Sequence, residues 1–196
     1  MASSTLFSLD AEPFKPAEDR TQPVVWIKRL VILSNLDSSK SSVIRDIEFR
    51  RGLNIIKTKQ MKVQGGPVAG HSVGKTLLMR MIRYSLGEPT FGTEQTQDAL
   101  LKTKGLKRVV VVTHWCVAGT DWIVVRPLQV VGADESYCEM NSRWQDVIDS
   151  PQQRQPHRVF VDAVNDSVVS ELPDFTLARG RDTKWQDVLA WLSRDY

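Results

Sequence analysis

The chain has 196 residues, 41% of them hydrophobic and 25% charged, and these fractions are typical of a folded globular protein rather than a disordered one. Its 26 basic and 23 acidic residues leave a formal net charge of only +3, which does not by itself indicate nucleic-acid binding. Cys116 and Cys138 stand far apart without ligand spacing, which disfavours both a disulfide framework and a zinc site. No segment reads as a signal peptide or a membrane span, so we expect a cytoplasmic protein with no membrane partner.

Residues 1–22 are small, charged and proline-bearing, and they predict a mobile arm because they bury too little apolar surface to offset the entropy of ordering. Extended segments are predicted next, at 24–34, 42–49 and 52–57. A polar, glycine-rich stretch over 58–72 then leads into a helix. Residues 23–88 therefore predict three strands, a loop and a helix in that order.

In this helix Leu78, Ile82 and Leu86 recur at every fourth position, and most of the circumference is apolar. Such a helix is typically buried against a sheet. Gly87 followed by Pro89 predicts its C-terminal end.

Residues 107–128 form two runs rich in β-branched and aromatic residues, joined at 118–121, which predict an antiparallel hairpin in a β-subdomain over 105–130. Residues 132–157 show no regular pattern, and 158–164 fits either a short strand or the start of a helix. A last helix is predicted within 183–196, with a capping box of Thr183 and Gln186. Its apolar face contains Trp185, Val188, Leu189 and Leu192, whereas Trp191 lies off that face.

A phosphate-binding loop is the most informative motif in the chain. Residues 69–76 match G-x-x-x-x-G-K-[ST] except that alanine replaces the first glycine. The Gly-Lys-Thr tripeptide alone is common by chance, but its position between an apolar strand and a buried helix is what a phosphate cradle requires. The alternative is a glycine-rich turn that ends in a surface lysine. The predicted nucleotide-binding residues are Ala69, Gly70, His71, Ser72, Val73, Gly74, Lys75, Thr76 and Leu77.

Each part of this motif has a chemical task. Gly70 and Gly74 allow the backbone to approach phosphate oxygens closely, and Lys75 reaches the β- and γ-phosphates. The Thr76 hydroxyl is the predicted Mg²⁺ ligand. His71 contributes mainly its backbone. Ala69 is harmless where the local φ is negative and lowers nucleotide affinity where only glycine fits.

Three stretches, IRDIEFRRGLNIIKT, GHSVGKTLLMRMIRYSLGE and WIVVRPL, resemble the N-terminal head segment of SMC/RecN-type ABC ATPases, in particular the SMC-like ATPases of bacterial anti-phage defence systems. The likeness spans 25–128, more than half of the chain. It implies an α/β fold, a P-loop NTPase lobe over 23–196 with an antiparallel β-subdomain, and a C-terminal helix that begins a coiled coil. Ala69 and an insertion at 59–68 (KQMKVQGGPV) depart from the family pattern.

The resemblance also implies function: binding of ATP with Mg²⁺ in DNA repair or phage defence, although ATP and GTP are not distinguished. The implied partners are a C-terminal ATPase lobe or a second SMC-like head, together with DNA and accessory defence subunits. A Walker B acid and a signature motif are not recognisable, because Val112 is followed by Thr113-His114 and Asp162 by Ala163-Val164. We therefore expect part of an ATPase that is hydrolytically incomplete alone.

Two other classes of function remain open. The chain could be a non-hydrolysing nucleotide sensor or assembly subunit, or a β-rich interaction domain in which the Gly-Lys-Thr is accidental. Basic residues at 50–62 and 102–108 would contact a phosphate backbone only if they shared a face, and solvated loops are the alternative. His114 and Cys116 fall on one face of a strand without further metal ligands, and Trp115, Trp122 and Trp185 are expected to pack rather than stack on bases.

Overall fold

A computed structural model of the chain describes residues 23–52, 54–55, 75–106, 108–129, 135–169, 176–177, 181–182 and 184–192. The strands are β1 (Val25–Leu33), β2 (Val43–Glu48), β3 (Val110–Val117), β4 (Thr120–Pro127), β5 (Tyr137–Met140), β6 (Gln155–Pro156), β7 (Thr176–Leu177) and β8 (Arg181–Asp182). The helices are α1 (Lys75–Ser85), α2 (Glu94–Lys102), α3 (Trp144–Asp149), α4 (His157–Val168) and α5 (Trp185–Leu192), with a 3₁₀ turn at Lys104–Leu106.

The fold is mixed α/β around a six-stranded antiparallel sheet of order β2-β1-β3-β4-β5-β6. The predicted hairpin forms its centre, because β3 pairs with β1 on one side and with β4 on the other. The hairpin thus continues the sheet that β1 and β2 begin. Strands β7 and β8 pair separately as a small two-stranded ribbon.

The hairpin turn is confirmed at the predicted place. Ala118 and Gly119 connect β3 to β4, and both have positive φ values, 46° and 84°. Positive φ at both central residues is the geometry of a two-residue type I′ turn, whose twist matches that of the flanking strands. The turn aligns Trp115 directly opposite Trp122.

Alternation along β3 divides the core between the two faces of the sheet. Val111 and Trp115 face α1, α4 and α5, whereas Val110 and Val112 face the short helix α3. The first face is the larger, and Phe160 of α4 fills its centre, with its ring centroid 5.8 Å from that of Trp122. On the second face α3 contributes Trp144, Val147 and Ile148.

One prediction is wrong, and two stretches that the sequence pattern left open are now decided. The third predicted strand, 52–57, fails at its described residues: Gly52, Asn54 and Ile55 lie outside any strand, and the Asn54 amide donates to the carbonyls of Arg50 and Gly52. The stretch 132–157, whose sequence shows no regular pattern, contains β5, α3 and β6. Residues 158–164 are helical and belong to α4.

The last helix is confirmed over Trp185–Leu192, with Trp185 and Leu189 buried. Its N-terminus is closed by the Asp187 carboxylate, which accepts a hydrogen bond from the backbone N–H of Lys184 at 3.1 Å. This is the reciprocal half of a capping box, one residue later than the predicted pair. The predicted cap Thr183 lies outside the described residues.

Candidate nucleotide-binding site

Helix α1 begins at Lys75 and is held by one buried face. Leu78, Met81 and Tyr84 pack against Leu30 and Val111 of the sheet. The Tyr84 hydroxyl donates to the carbonyl of Pro127 at 2.8 Å. Burial of this face fixes the rotation of the helix, and therefore which side chains of its first turn face outward.

Residues 69–74 of the predicted loop lie outside the described residues, so only its last part can be located. Lys75 is the first residue of α1, and Thr76 is exposed in the same turn. The side chains of Leu77 and Met79 are 45% and 50% exposed. The predicted packing of this helix against a sheet is confirmed, and Leu77 and Met79 lie on the part of its apolar circumference that does not meet the sheet.

The two positions considered for a Walker B acid, the residues after Val112 and Asp162, provide no catalytic carboxylate at the end of a strand. Thr113 is buried in the middle of β3, and its hydroxyl accepts a hydrogen bond from Trp115 Nε1 at 2.9 Å. Asp162 lies on α4, where it is exposed and forms an ion pair with Arg158 at 3.5 Å. A Walker B acid follows an apolar strand directly, and neither residue has that setting.

His114, Asp121 and Lys28 form a polar cluster on the face of the sheet that α3 also covers. Lys28 donates to Asp121, and His114 Nε2 approaches the other carboxylate oxygen at 3.3 Å without hydrogen-bond geometry. Burial lowers the pKa of His114 despite that neighbour. Burial alone would raise the pKa of Asp121, but the Lys28 hydrogen bond and the nearby His114 bring it below its usual value. The cluster is an ion-pair network between strands.

The tryptophans near the hairpin are packed inside, as expected. Trp115 and Trp122 are both buried against Phe160, and Trp185 is buried with its Nε1 donating to the Leu86 carbonyl at 3.1 Å. None of these three rings offers a free face for base stacking.

Arg51 and Arg108, one residue from each basic tract, lie near opposite ends of the sheet. Arg51 follows β2, and its guanidinium lies 5.3 Å from the ring of Trp26 near the start of β1. Arg108 precedes β3 and lies beside the other end of β1. At about 3.3 Å per residue, the nine residues of β1 separate these positions by roughly 30 Å. Arg51 and Arg108 therefore do not belong to one patch.

A groove of about 1710 Å³ opens at the C-terminal end of α1, where Gly87 and Pro89 line it. The 11 residues of α1 place this groove about 16 Å along the helix from Lys75, at a rise of 1.5 Å per residue. Its lining includes Arg126, Ser136 and His157. The groove and the predicted phosphate loop are thus at different ends of one helix.

Sequence reasoning missed this groove although one signal pointed to it. Along β4 the alternating positions Trp122, Val124 and Arg126 share a face, so a charged residue stands where the pattern predicts a core residue. The contributions of Ser136 and His157 had no such signal, because β5 and the start of α4 lie in or beside the stretch whose sequence shows no regular pattern.

Comparison of the chain with protein-family models, with curated proteins and with solved structures gives no match. No helix among the described residues is long and apolar enough to cross a membrane. Within the same residues, no three His, Cys, Asp or Glu side chains are grouped so that they could hold a metal ion.

Proposed function

We propose that this chain is the ATP-Mg²⁺-binding N-terminal lobe of an SMC-like ABC ATPase head, acting in the cytoplasm in a DNA-associated process such as repair or phage defence. One observation carries the proposal: α1 begins at Lys75, the lysine of the Gly-Lys-Thr motif, and its first turn presents Thr76 outward. A helix that starts at this lysine directs its free backbone N–H groups and partial positive charge toward the preceding loop.

The roles follow from the motif. Backbone N–H groups of 69–74 would surround the β-phosphate, the Lys75 ammonium would neutralise the β- and γ-phosphates, and the Thr76 hydroxyl would ligate Mg²⁺. Leu77 is the neighbouring residue of the same turn. Because α1 is anchored through Tyr84 and Met81, the site would rest on a rigid helix.

A second lobe is part of the proposal. Leu77 and Met79 are half exposed on α1 beside the motif, and apolar side chains in that position suit a protein surface that closes over the nucleotide. That second lobe, or the second head, would supply the acid that orients the attacking water. The alternative is a sensor that binds nucleotide, never hydrolyses it, and signals occupancy to partner proteins. Asp162 lies on a helix rather than after a strand, so it does not have the position of a hydrolytic carboxylate. This observation favours the sensor as the second candidate function.

The test is calorimetric titration of ATP-Mg²⁺ into the chain and into Lys75→Ala, with Lys102→Ala as a matched control because Lys102 is exposed on α2. Removing a charged partner of the phosphates should weaken binding about 10- to 100-fold. Lys102→Ala should bind like the unmodified chain. Equal or absent binding in all three proteins would overturn the proposal and leave an interaction domain.

Phosphate release separates the ATPase lobe from the sensor. The chain alone should show no turnover above buffer, whereas the chain mixed with its cognate second lobe should hydrolyse ATP. Binding without turnover in that mixture would favour the sensor.

A further inference from the structure

The groove at the C-terminal end of α1 carries more positive than negative charge. Five cationic side chains line it, against two carboxylates, Glu135 and Asp162. The cations are Arg108, Arg126, Arg154, Arg158 and Lys184. Asp162 is already paired with Arg158, so most of the remaining charge facing the groove is positive.

Arg126 lies at the bottom of the groove and is only 6% exposed. Its Nη1 donates to the carbonyls of Tyr84 and Glu88, the latter at 2.9 Å, and its Nε donates to Ser136 Oγ at 3.3 Å. These bonds let Arg126 cap the C-terminus of α1. All its partners are uncharged oxygens, and none of the described carboxylates lies within ion-pair distance of it. A buried arginine normally has an anionic partner.

The N-terminus of α4 opens into the same groove without a cap. Pro156 precedes this 12-residue helix, no side chain caps it, and its first turn contains no acidic residue. The N–H of His157 donates to the Ser136 carbonyl at 3.2 Å. Among the described residues, the N–H groups of Arg158 and Val159 have no hydrogen-bond partner outside the helix. Free N–H groups at a helix start attract anions.

Ser136 forms hydrogen bonds with both Arg126 and the N-terminus of α4. Its hydroxyl accepts from Arg126, and its carbonyl accepts from His157, so the guanidinium and the helix start lie on either side of one residue. Arg154 stands at the rim, with its guanidinium 4.2 Å from the ring of Tyr137. The Nη2 of Arg126 has no hydrogen-bond partner within the described part of the chain, which leaves two donors for a ligand.

We propose that this groove binds an oxyanion group, phosphate or carboxylate, held by Arg126 Nη2 and the N–H group of Arg158, with Arg154 closing the rim. Guanidinium and backbone donors together match the several oxygens of such a group better than a single ammonium does. Tyr84 and Tyr137 are already covered by Arg126 and Arg154, which disfavours single-stranded nucleic acid because it needs free aromatic faces.

This site is separate from the proposed nucleotide site, and each can fail without the other. The test follows backbone amide resonances while inorganic phosphate, and in a second arm glutarate, is added at constant ionic strength. We expect a saturable shift of the Arg158 amide. Tighter binding of phosphate would assign a phosphate ligand, and tighter binding of glutarate a carboxylate ligand; either supports an oxyanion site.

Arg126→Lys keeps the positive charge but loses the planar guanidinium with its paired N–H donors, and we expect it to weaken anion binding about tenfold. Arg154→Ala changes only the rim and should weaken binding about threefold, which decides the matter if Arg126→Lys does not fold. Lys102→Ala, an exposed residue of α2, should bind both anions normally. Shifts that do not saturate, or that neither arginine variant changes, would overturn the proposal.

Discussion

Helix α1 has two very different ends. At its C-terminal end, Gly87 packs against Val161. Trp185 donates a hydrogen bond to the Leu86 carbonyl, and Arg126 donates one to the Tyr84 carbonyl. Residues from three distant segments therefore hold this end in place. At its N-terminal end, Thr76 and Leu77 are exposed and the Gly-Lys-Thr motif is purely local. Changes at the C-terminal end of α1 should therefore alter stability, whereas changes at its N-terminal end should alter only ligand binding.

The largest effect is expected from Trp185→Ala. The indole is buried against Leu86 and Phe160, so its removal should cost about 3–5 kcal/mol of the free energy of unfolding. Trp185→Phe, which keeps most of the volume but loses the bond to the Leu86 carbonyl, should cost about 1 kcal/mol. Urea denaturation measures both, with exposed Gln186→Ala as control. A cost below 1 kcal/mol for Trp185→Ala would contradict the close packing of α5 on the end of α1.

Acid should lower the stability of the packing at the C-terminal end of α1, because His157 is partly buried there. Burial and the neighbouring Arg126 charge lower the pKa of His157 to about 4, although its bond to the Ser85 carbonyl opposes this. In the unfolded chain His157 takes up a proton near pH 6.5, whereas in the folded chain it does so only near pH 4. Neutral His157 therefore costs no stability above pH 6.5, and the free energy of unfolding falls as the pH drops from 6.5 toward 4. The loss amounts to about 2–3 kcal/mol.

Urea unfolding at about pH 7.5 and about pH 4.5 checks this, because His157→Gln should lose less stability on acidification than the unmodified chain. His114→Gln is the companion variant, since burial also lowers the pKa of His114. Identical pH dependence of His157→Gln and the unmodified chain would show that His157 is not buried in its neutral form.

Comparison of Gly87→Ala with Gly119→Ala separates the cost of backbone strain from the cost of a packing clash. Gly87 has φ of 110°, and an added Cβ would lie 3.0 Å from a Val161 methyl group. Gly119 also has positive φ, 84°, but an added Cβ there meets nothing within 4 Å. We expect Gly119→Ala to cost about 1 kcal/mol and Gly87→Ala about 1–2 kcal/mol more. Equal thermal unfolding of the two variants would mean that Val161 yields without cost.

Thr76→Ala should have the smallest effect on folding, within about 0.5 kcal/mol, because the side chain is exposed. Under the proposed function it should weaken ATP binding about tenfold or more in Mg²⁺, by loss of a metal ligand, and leave binding in EDTA unchanged. Calorimetry in the two buffers measures this. An equal loss in both buffers would exclude a role for Thr76 at the metal.

Local patterns predicted much of the fold. The β-branched and aromatic runs around Ala118-Gly119 define the hairpin, the fourth-position repeat of Leu78, Ile82 and Leu86 defines α1, and Gly87 stops it with the positive φ that a helix end requires. The patterns failed at 137–156, where β5 has four residues and β6 two, too short for periodicity to emerge.

The candidate sites divide in the same way. The phosphate-loop prediction rests on consecutive residues, 69–76, and it could be made without any knowledge of the fold. The oxyanion groove could not, because Arg126, Ser136 and Arg158 come from β4, the approach to β5 and α4, and only the pairing of those strands brings them together.

Local sequence patterns are enough to predict the hairpin, the helix that follows the Gly-Lys-Thr motif and the hypothesis of nucleotide binding, because each depends on residues close together in the chain. Three other features become visible only in the folded molecule: the hairpin is the centre of one six-stranded sheet, one face of α1 is buried, and the buried Arg126 lies beside the uncapped N-terminus of α4. These features depend on contacts between distant segments, whose free energy no local pattern records.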